Sequence, residues 1–481
     1  MAQGHMQRLS SIDASFLTNE TSNAHMHVGA ILIFEGPPPA YEDFLGHVRS
    51  RLHLVPRFRQ KLAVPPVETG RPFWVDDPHF HLAYHVRHSA LPSPGSEEQL
   101  RNIAGRLFSQ QLDRSKPLWE LWLVQGLEPN RFALITKTHH ALVDGVSGVD
   151  IGTVLFDVKP VPEPIEPDRD WVPRPSPSTA ELAARGLVVA ARAPVGLARR
   201  ALRAASDPAR TTRRVVEAGE ALAEVAWNFT NPAPDVPLNT EIGSHRRFAW
   251  SRAELDEYKR IKDVFGGTVN DVVLTVVSGA LRSWLRSRGI RTEGLELRAL
   301  VPVSIRGEDE RDQLGNRIAA MRGPLPVYIE DPVKRLDTVR RAMDGLKESK
   351  QALGAEVIAR FNDFAPPTLL AQASRINFST RLFNLIVTNV PGPQIPLYVL
   401  GRELQDVFPV AFLPENHALA IAIMSYNGGI DFGLLGDYDS MEDIDMFATG
   451  LSEALGELLA AAEAAEAGQQ SEVASGADLP G

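Results

Sequence analysis

The sequence contains no cysteine among its 481 residues. That excludes a thiol nucleophile, a disulfide framework and zinc sites built on thiolates, and it suits a reducing compartment. Long hydrophobic runs are missing too. The most apolar stretches, such as Ala418 to Met424, fall far short of the roughly eighteen residues of a membrane span, and the N-terminus has no signal-peptide apolar core. A cytoplasmic protein is the expectation. Neither a GxSxG elbow nor a GK[ST] phosphate loop occurs, which weighs against serine hydrolase and nucleotide hydrolase chemistry. Histidine is scarce late in the chain, where only His245 and His417 follow residue 140. If the two halves are related, the second cannot carry a duplicate histidine pair, and one active site is expected.

What is present points to a large globular chain. Its length exceeds what one hydrophobic core usually serves, so two domains are expected, and 44% hydrophobic content is enough to fill both. A net charge of −10 argues against nucleic acid as a partner. The charge is uneven, however: residues 182–214 hold eight arginines against Asp207 alone, a net +7. Leu187, Val188, Val189, Val195 and Leu197 give this segment an amphipathic pattern suited to docking on anionic lipid, although Pro194 and Gly196 interrupt it. A solvated linker helix is the alternative.

The richest stretch is Thr138-His139-His140-Ala141-Leu142-Val143-Asp144-Gly145. Phe132 to Thr136 ahead of it has the apolar and β-branched density of a buried strand, and Val146 to Leu155 behind it has helical spacing. The histidines therefore sit where a strand gives way to a short loop. Histidine takes up a proton near neutrality without extreme tuning, so a general base is the natural role. Asp144 reads best as a loop anchor paired with an arginine. Two other readings stand beside this one: a metal site using Asp144, and a purely structural pair. Adjacent strand residues point to opposite faces, so both rings reach one ion only if the strand has already ended.

In chain order, residues 1–5 read as an extension, Ser10 to Leu17 as a capped helical turn, Val28 to Phe34 as a strand and Tyr41 to Leu54 as a helix. His79, His81 and His85 would share one face of an edge strand, with metal binding a weaker reading. Glu97 to Gln111 forms an amphipathic helix, and Leu121 to Gln125 a strand after Pro117-Leu118-Trp119. Seven prolines between Pro160 and Pro177 read as an extended linker, which ends a first domain of residues 1–160. Residues 161–236 form this linker and the arginine-rich crossover, and residues 237–466 a second domain. Within that domain Asn270-Asp271 opens a long apolar helix, Val272 to Arg286. Free N–H groups of its first turn would favour developing negative charge, while an ordinary N-cap is the alternative. Leu297 to Ser304 and Leu385 to Thr388 read as strands, the latter stopped by Asn389-Val390-Pro391-Gly392-Pro393. Ala418 to Tyr426 and Ile430 to Gly436 flank a hairpin turn at Asn427-Gly428-Gly429, Met441 to Ala465 is a helix, and residues 467–481 are expected to be disordered.

Taken together, Leu9 to Leu17, Pro117-Leu118-Trp119, His139-His140 with Asp144-Gly145, Asn270-Asp271 and Asn389 to Pro393 resemble the bacterial wax ester synthase/diacylglycerol acyltransferase family, from about Leu9 to about Leu459. His-His-x-x-x-Asp-Gly is shared with a wider acyltransferase superfamily; the other marks select the lipid branch. One departure is His25, where the family has a proline. The resemblance implies an α/β fold of two chloramphenicol-acetyltransferase-like domains with an interdomain substrate tunnel. It implies acyl-CoA as a substrate, diacylglycerol or a long-chain alcohol as acceptor, no cofactor or metal, and a peripheral membrane or lipid-droplet surface as the place of work. His140 would be the base, with His139 supporting it, and Asn270 or the adjacent helix N-terminus would face the oxyanion. Asp144 would pair with an arginine, for which Arg306 is the candidate. Pro117, Leu118, Trp119 and Asp271 would line the substrate site, with core packing the other reading of Pro117-Leu118-Trp119. A condensation-type enzyme with carrier-bound substrates and a non-catalytic lipid-binding protein are the alternatives.

Overall fold

The computed structural model describes residues 6–66, 71–143, 152, 155–161, 171–184, 231–304, 318–348 and 378–476. The first half contains β1 (Gln7–Arg8), α1 (Ser11–Asn19), β2 (His27–Glu35), α2 (Tyr41–Arg51), β3 (Gln60–Ala63), β4 (Phe73–Asp76), α3 (Leu82–His85), β5 (Val86–Ala90), α4 (Glu97–Phe108), β6 (Trp119–Leu127) and β7 (Arg131–His139). The second half contains β8 (Arg246–Glu254), α5 (Leu255–Phe265), α6 (Val269–Ser287), β9 (Leu297–Ser304), β10 (Ile318–Leu325) and α7 (Pro332–Glu348). It continues through β11 (Leu385–Pro391), β12 (Tyr398–Val399), β13 (Arg402–Val410), β14 (Leu419–Tyr426), β15 (Gly429–Asp437) and α8 (Ile444–Gly476).

Two six-stranded sheets organise these elements, in the orders β12-β13-β2-β7-β6-β5 and β10-β9-β11-β14-β15-β8, beside a small β1-β4-β3 sheet. Two strands from the second half therefore complete the first sheet, although the sequence order assigns residues 398–410 to the second domain. β13 pairs antiparallel with β2, Phe408 opposite Ile31 and Val410 opposite Gly29. It also runs close over β15: a Cβ on Gly433 would lie 1.8 Å from Pro409 O, so only glycine admits the crossing.

Three large apolar cores and one small cluster around Phe73, Val75 and Leu182 follow among the described residues. One lies under α6, whose Val272, Leu274, Val277, Leu281 and Trp284 are buried against the second sheet and α8; an apolar residue on nearly every face of this helix predicts that burial. A second packs Phe34, Phe44, Phe132 and Trp119 on the outer face of the first sheet. The third joins the halves, with Ile31, Ile135 and Phe108 meeting Phe248, Trp250 and Phe408. Trp250 and Phe408 stack there at 4.5 Å.

Several local expectations change in detail. His79 lies in a turn and His85 in the short helix α3, so the three histidines share no strand face. His85 instead stacks on Trp119 and its Nδ1 lies 2.8 Å from Trp119 O, which packs it as part of the core. β11 runs on through Asn389 and Val390, paired with Ile423 and Met424, and ends at Pro391, which has no N–H to continue the ladder. The hairpin between β14 and β15 turns on Asn427 (φ 45°) and Gly428 (φ 90°), the left-handed pair a tight two-residue turn requires. α8 continues to Gly476, into the segment expected to be disordered. The arginine-rich residues 185–214, Asp144, Gly145 and Arg306 lie outside the described residues.

Candidate active site

β7 carries the histidine pair to its end. His139 is its last residue, opposite His27 of β2, and His140–Leu142 closes into a single 3-10 turn. The two backbones are held by different neighbours: His139 N–H donates to Leu118 O (3.0 Å), and His140 N–H to Met26 O (2.8 Å). Side chains at consecutive positions of an extended strand diverge, and these two do. His139 is wholly buried, and its Nδ1 accepts the Ala141 N–H at 3.0 Å. His140 turns the other way, into aromatic surroundings.

Phe16 of α1 stacks on the His140 ring, centroids 3.9 Å apart and 22° from parallel. Phe412, two residues beyond β13, meets the same ring edge-on at 5.6 Å, and Phe378 meets Phe412 at 5.7 Å. Aromatic groups from both halves of the chain thus surround one imidazole. Burial pushes His140 down to about 4, so the ring is neutral at physiological pH. Among the described residues its Nδ1 is buried without a partner.

Behind the turn lies a buried charged cluster. The Glu20 carboxylate contacts His27 Nε2 (3.3 Å) and His139 Nε2 (3.5 Å), and accepts hydrogen bonds from the Arg114 guanidinium, 2.8 Å from its Nε. Burial alone would raise Glu20, but the adjoining His139 and His27 rings outweigh it and hold the carboxyl below the usual range. Burial lowers His27 to about 3 and Lys137 to about 8. The Lys137 ammonium donates to Leu107 O (2.8 Å) and to Gln110 O, carbonyls at and just beyond the end of α4.

The remaining candidates are spread unevenly. Pro117, Leu118 and Trp119 adjoin the site through the backbone, but Leu118 and Trp119 are 0% and 1% exposed, and the indole N–H donates to Phe58 O at 2.7 Å. Their packing is that of core residues beside His139, in keeping with the other reading of this stretch. Asp271 has a structural partner of its own. It is wholly buried as the third residue of a capping box, accepting from Thr268 N (2.8 Å) while Thr268 Oγ1 caps the Asp271 N–H (3.3 Å). Thr268, not Asn270, is the N-cap of α6. Asn270 is half-buried in the first turn, and its Oδ1 accepts from Asn389 Nδ2 at 3.4 Å, so two of the sequence marks meet. Among the described residues no three His, Asp or Glu side chains are grouped to hold a metal ion.

Glu20 and Phe412 were not among the sequence candidates. A signal for Glu20 existed: an acid just past the end of α1 faces the unfavourable pole of the helix dipole and needs a partner. Phe412 carried no local signal, because its neighbour His140 is reached only through the pairing of β13 with β2.

Comparison with known proteins accounts for this arrangement. Residues 9–273 match the wax ester synthase/diacylglycerol acyltransferase catalytic domain and residues 314–459 the C-terminal domain of the same family. A probable diacylglycerol O-acyltransferase of Mycobacterium tuberculosis strain H37Rv is 32% identical over 465 residues, covering 95% of this chain and 96% of its own. A putative diacylglycerol O-acyltransferase of strain CDC 1551 is 34% identical, covering 94% and 90%. The wax ester synthase/diacylglycerol acyltransferase from Marinobacter aquaeolei VT8 superposes with a TM-score of 0.66 at 27% identity, covering 95% of this chain and 100% of that one. A starter condensation domain of rhizomide synthetase shares the fold alone, at 12% identity and a TM-score of 0.58. The chain belongs to the wax ester synthase/diacylglycerol acyltransferase family and is an acyl-CoA-dependent acyltransferase built on two chloramphenicol-acetyltransferase-like domains.

Proposed function

We propose that this enzyme transfers the acyl group of acyl-CoA directly to the hydroxyl of diacylglycerol, accepting long-chain alcohols as well, with His140 as general base. The observation that carries the reading is the His140 imidazole just past the end of β7, neutral and flanked by Phe16 and Phe412. An alcohol is a poor nucleophile at neutral pH. His140 takes the hydroxyl proton as the oxygen attacks the thioester carbon, the tetrahedral oxyanion collapses, and the CoA thiolate leaves with that proton. Burial that resists protonation by solvent works in favour of transfer, since the oxyanion forming beside the ring stabilises the imidazolium only while the reaction is under way.

Asn270 is the proposed oxyanion donor. Asn389 Nδ2 donates to its Oδ1, an orientation that leaves the Asn270 amide N–H groups free to donate. Asp144 would fix the loop after His140 by pairing with an arginine, for which Arg306 is the candidate. With no cysteine in the chain and no serine elbow, transfer without an acyl-enzyme is the economical path, and no cofactor is required because acyl-CoA is itself a substrate. Diacylglycerol as acceptor rests on the names of the 32–34% identical relatives. The same reading puts the enzyme at the cytoplasmic face of the membrane or on lipid droplets, since both the acceptor and the ester product reside in lipid. No single described helix is long and apolar enough to cross a membrane.

Assaying one acyl-CoA against diacylglycerol, a long-chain alcohol and a carrier-bound aminoacyl group, with CoA release followed by a thiol reagent, tests the proposal. Release with the first two acceptors and ester formed in equal amount is expected. Turnover confined to the carrier-bound group would assign a condensation enzyme, and no release with any acceptor would assign a lipid-binding protein.

A further inference from the structure

Behind the base, the molecule buries an ionised group that the transfer step does not use. The Glu20 side chain is 3% exposed, and burying a carboxylate is costly unless its partners are well placed. Arg114 holds one side of it through Nε, and a further Arg114 N–H reaches Leu17 O at 2.9 Å, tying the arginine to the end of α1. His27 and His139 occupy the other side. The carboxylate is thereby fixed relative to both α1 and β2.

His139 connects this fixed point to the catalytic turn. Its Nδ1 accepts the Ala141 N–H at 3.0 Å, and its Nε2 lies 3.5 Å from Glu20 Oε2. One ring nitrogen packs against the carboxylate, and the other holds the first amide of the turn after His140. Among the described residues no group bonds His140 Nδ1, and its placement is shared by that turn, the Met26 O bond to its N–H, and Phe16 and Phe412. We infer that Glu20 is a positioning residue for acyl transfer, acting through His139 to hold the turn that presents His140. This rests on His140 being the base.

Kinetics of the full-length enzyme with acyl-CoA and diacylglycerol test it, using Glu20→Ala, Glu20→Gln, His139→Ala, the two double variants and His140→Ala. Circular dichroism confirms folding in each case. Glu20→Ala is expected to lower kcat about tenfold or more with KM for acyl-CoA unchanged. Glu20→Gln, which keeps the size of the side chain and an oxygen beside the His139 ring, is expected to recover part of that loss. In the His139→Ala background neither substitution should lower kcat by a further twofold, because the group through which Glu20 acts is already gone. A purely structural role would lower melting temperature without this coupling. A folded Glu20→Ala enzyme with kcat within twofold of wild type overturns the inference, as does a loss that multiplies with that of His139→Ala. If Glu20→Ala does not fold, Glu20→Gln decides by the same two criteria. Undiminished turnover in folded His140→Ala would instead overturn the assignment of the base.

Discussion

Phe16 lies flat against His140 at 3.9 Å, so a residue of the first helix covers a face of the ring at the end of β7. Substituting Phe16→Ala would admit water to that face. Rehydration moves the imidazole from about 4 toward its ordinary value of about 6.5, and loss of the stack frees its rotation. The expected result is a kcat lowered about tenfold at neutral pH and an acid limb shifted upward by about one pH unit or more. An unchanged pH–rate profile in the folded variant would show that Phe16 does not dry the ring.

The pH dependence of the wild type follows from the same burial. A neutral His140 is required, and its folded value is about 4, so kcat/KM is expected to stay level from pH 7 to about 5 and to fall as pH approaches 4. The free histidine value of about 6.5, which the sequence alone suggests, puts the acid limb too high. Initial rates taken within seconds of a pH jump, before unfolding intervenes, distinguish the two.

Two adjacent histidines should behave unequally. His140→Ala is expected to lose about a hundred- to ten-thousand-fold in turnover while keeping its melting temperature within a few degrees. His139→Ala should lose less turnover and more stability, because it leaves the Ala141 N–H without an acceptor and the buried Glu20 with one partner fewer. Greater damage to turnover from His139→Ala would reverse the assignment.

Acid should weaken the fold well above the carboxylate range. His25, His27, His47, His85, His140 and His417 are all lowered by burial, the last three to about 4. Once unfolded, each takes up a proton near pH 6.5, which it refuses in the folded state until pH is lower. Stability is therefore greatest above 6.5 and is lost progressively as pH falls below it, by up to about 1.4 kcal/mol per pH unit for each group. Melting temperatures measured from pH 8 to 4.5 should be level above about 6.5 and then decline; a level curve down to pH 5 would contradict this.

The arginine-rich segment predicts salt-sensitive attachment to anionic vesicles, through a net charge of +7 in an otherwise acidic chain. Flotation should be lost at high salt and in the triple variant Arg199→Glu, Arg200→Glu, Arg203→Glu. Equal flotation of that variant would locate the lipid contact elsewhere.

Much of the fold was legible because its signals are local. The Ser10 cap, the strand ahead of the histidines, the apolar α6 and the Asn427-Gly428 turn each depend on a few neighbouring residues, and each appears within three residues of its expected bounds. The diverging histidines followed from strand geometry alone. What escaped was set by distant partners. Trp119 looks like a substrate contact until Phe58 O and His85 are seen around it, and Asp271 looks like a site residue until its bond to Thr268 is found. Glu20 becomes intelligible only once β2 brings His27 beside His139.

The pairing of β13 with β2 carries a consequence for biosynthesis. Phe34 lies opposite Leu404, so during translation β2 waits for a neighbour 370 positions downstream (404 − 34). Until then it presents an unpaired edge, the kind of surface that invites association between nascent chains. Phe412 follows the same strand, so the walls around His140 are completed only after that late docking. No amino-terminal fragment ending at residue 160 holds these walls, and turnover can begin only when residues 402–412 have been made and docked.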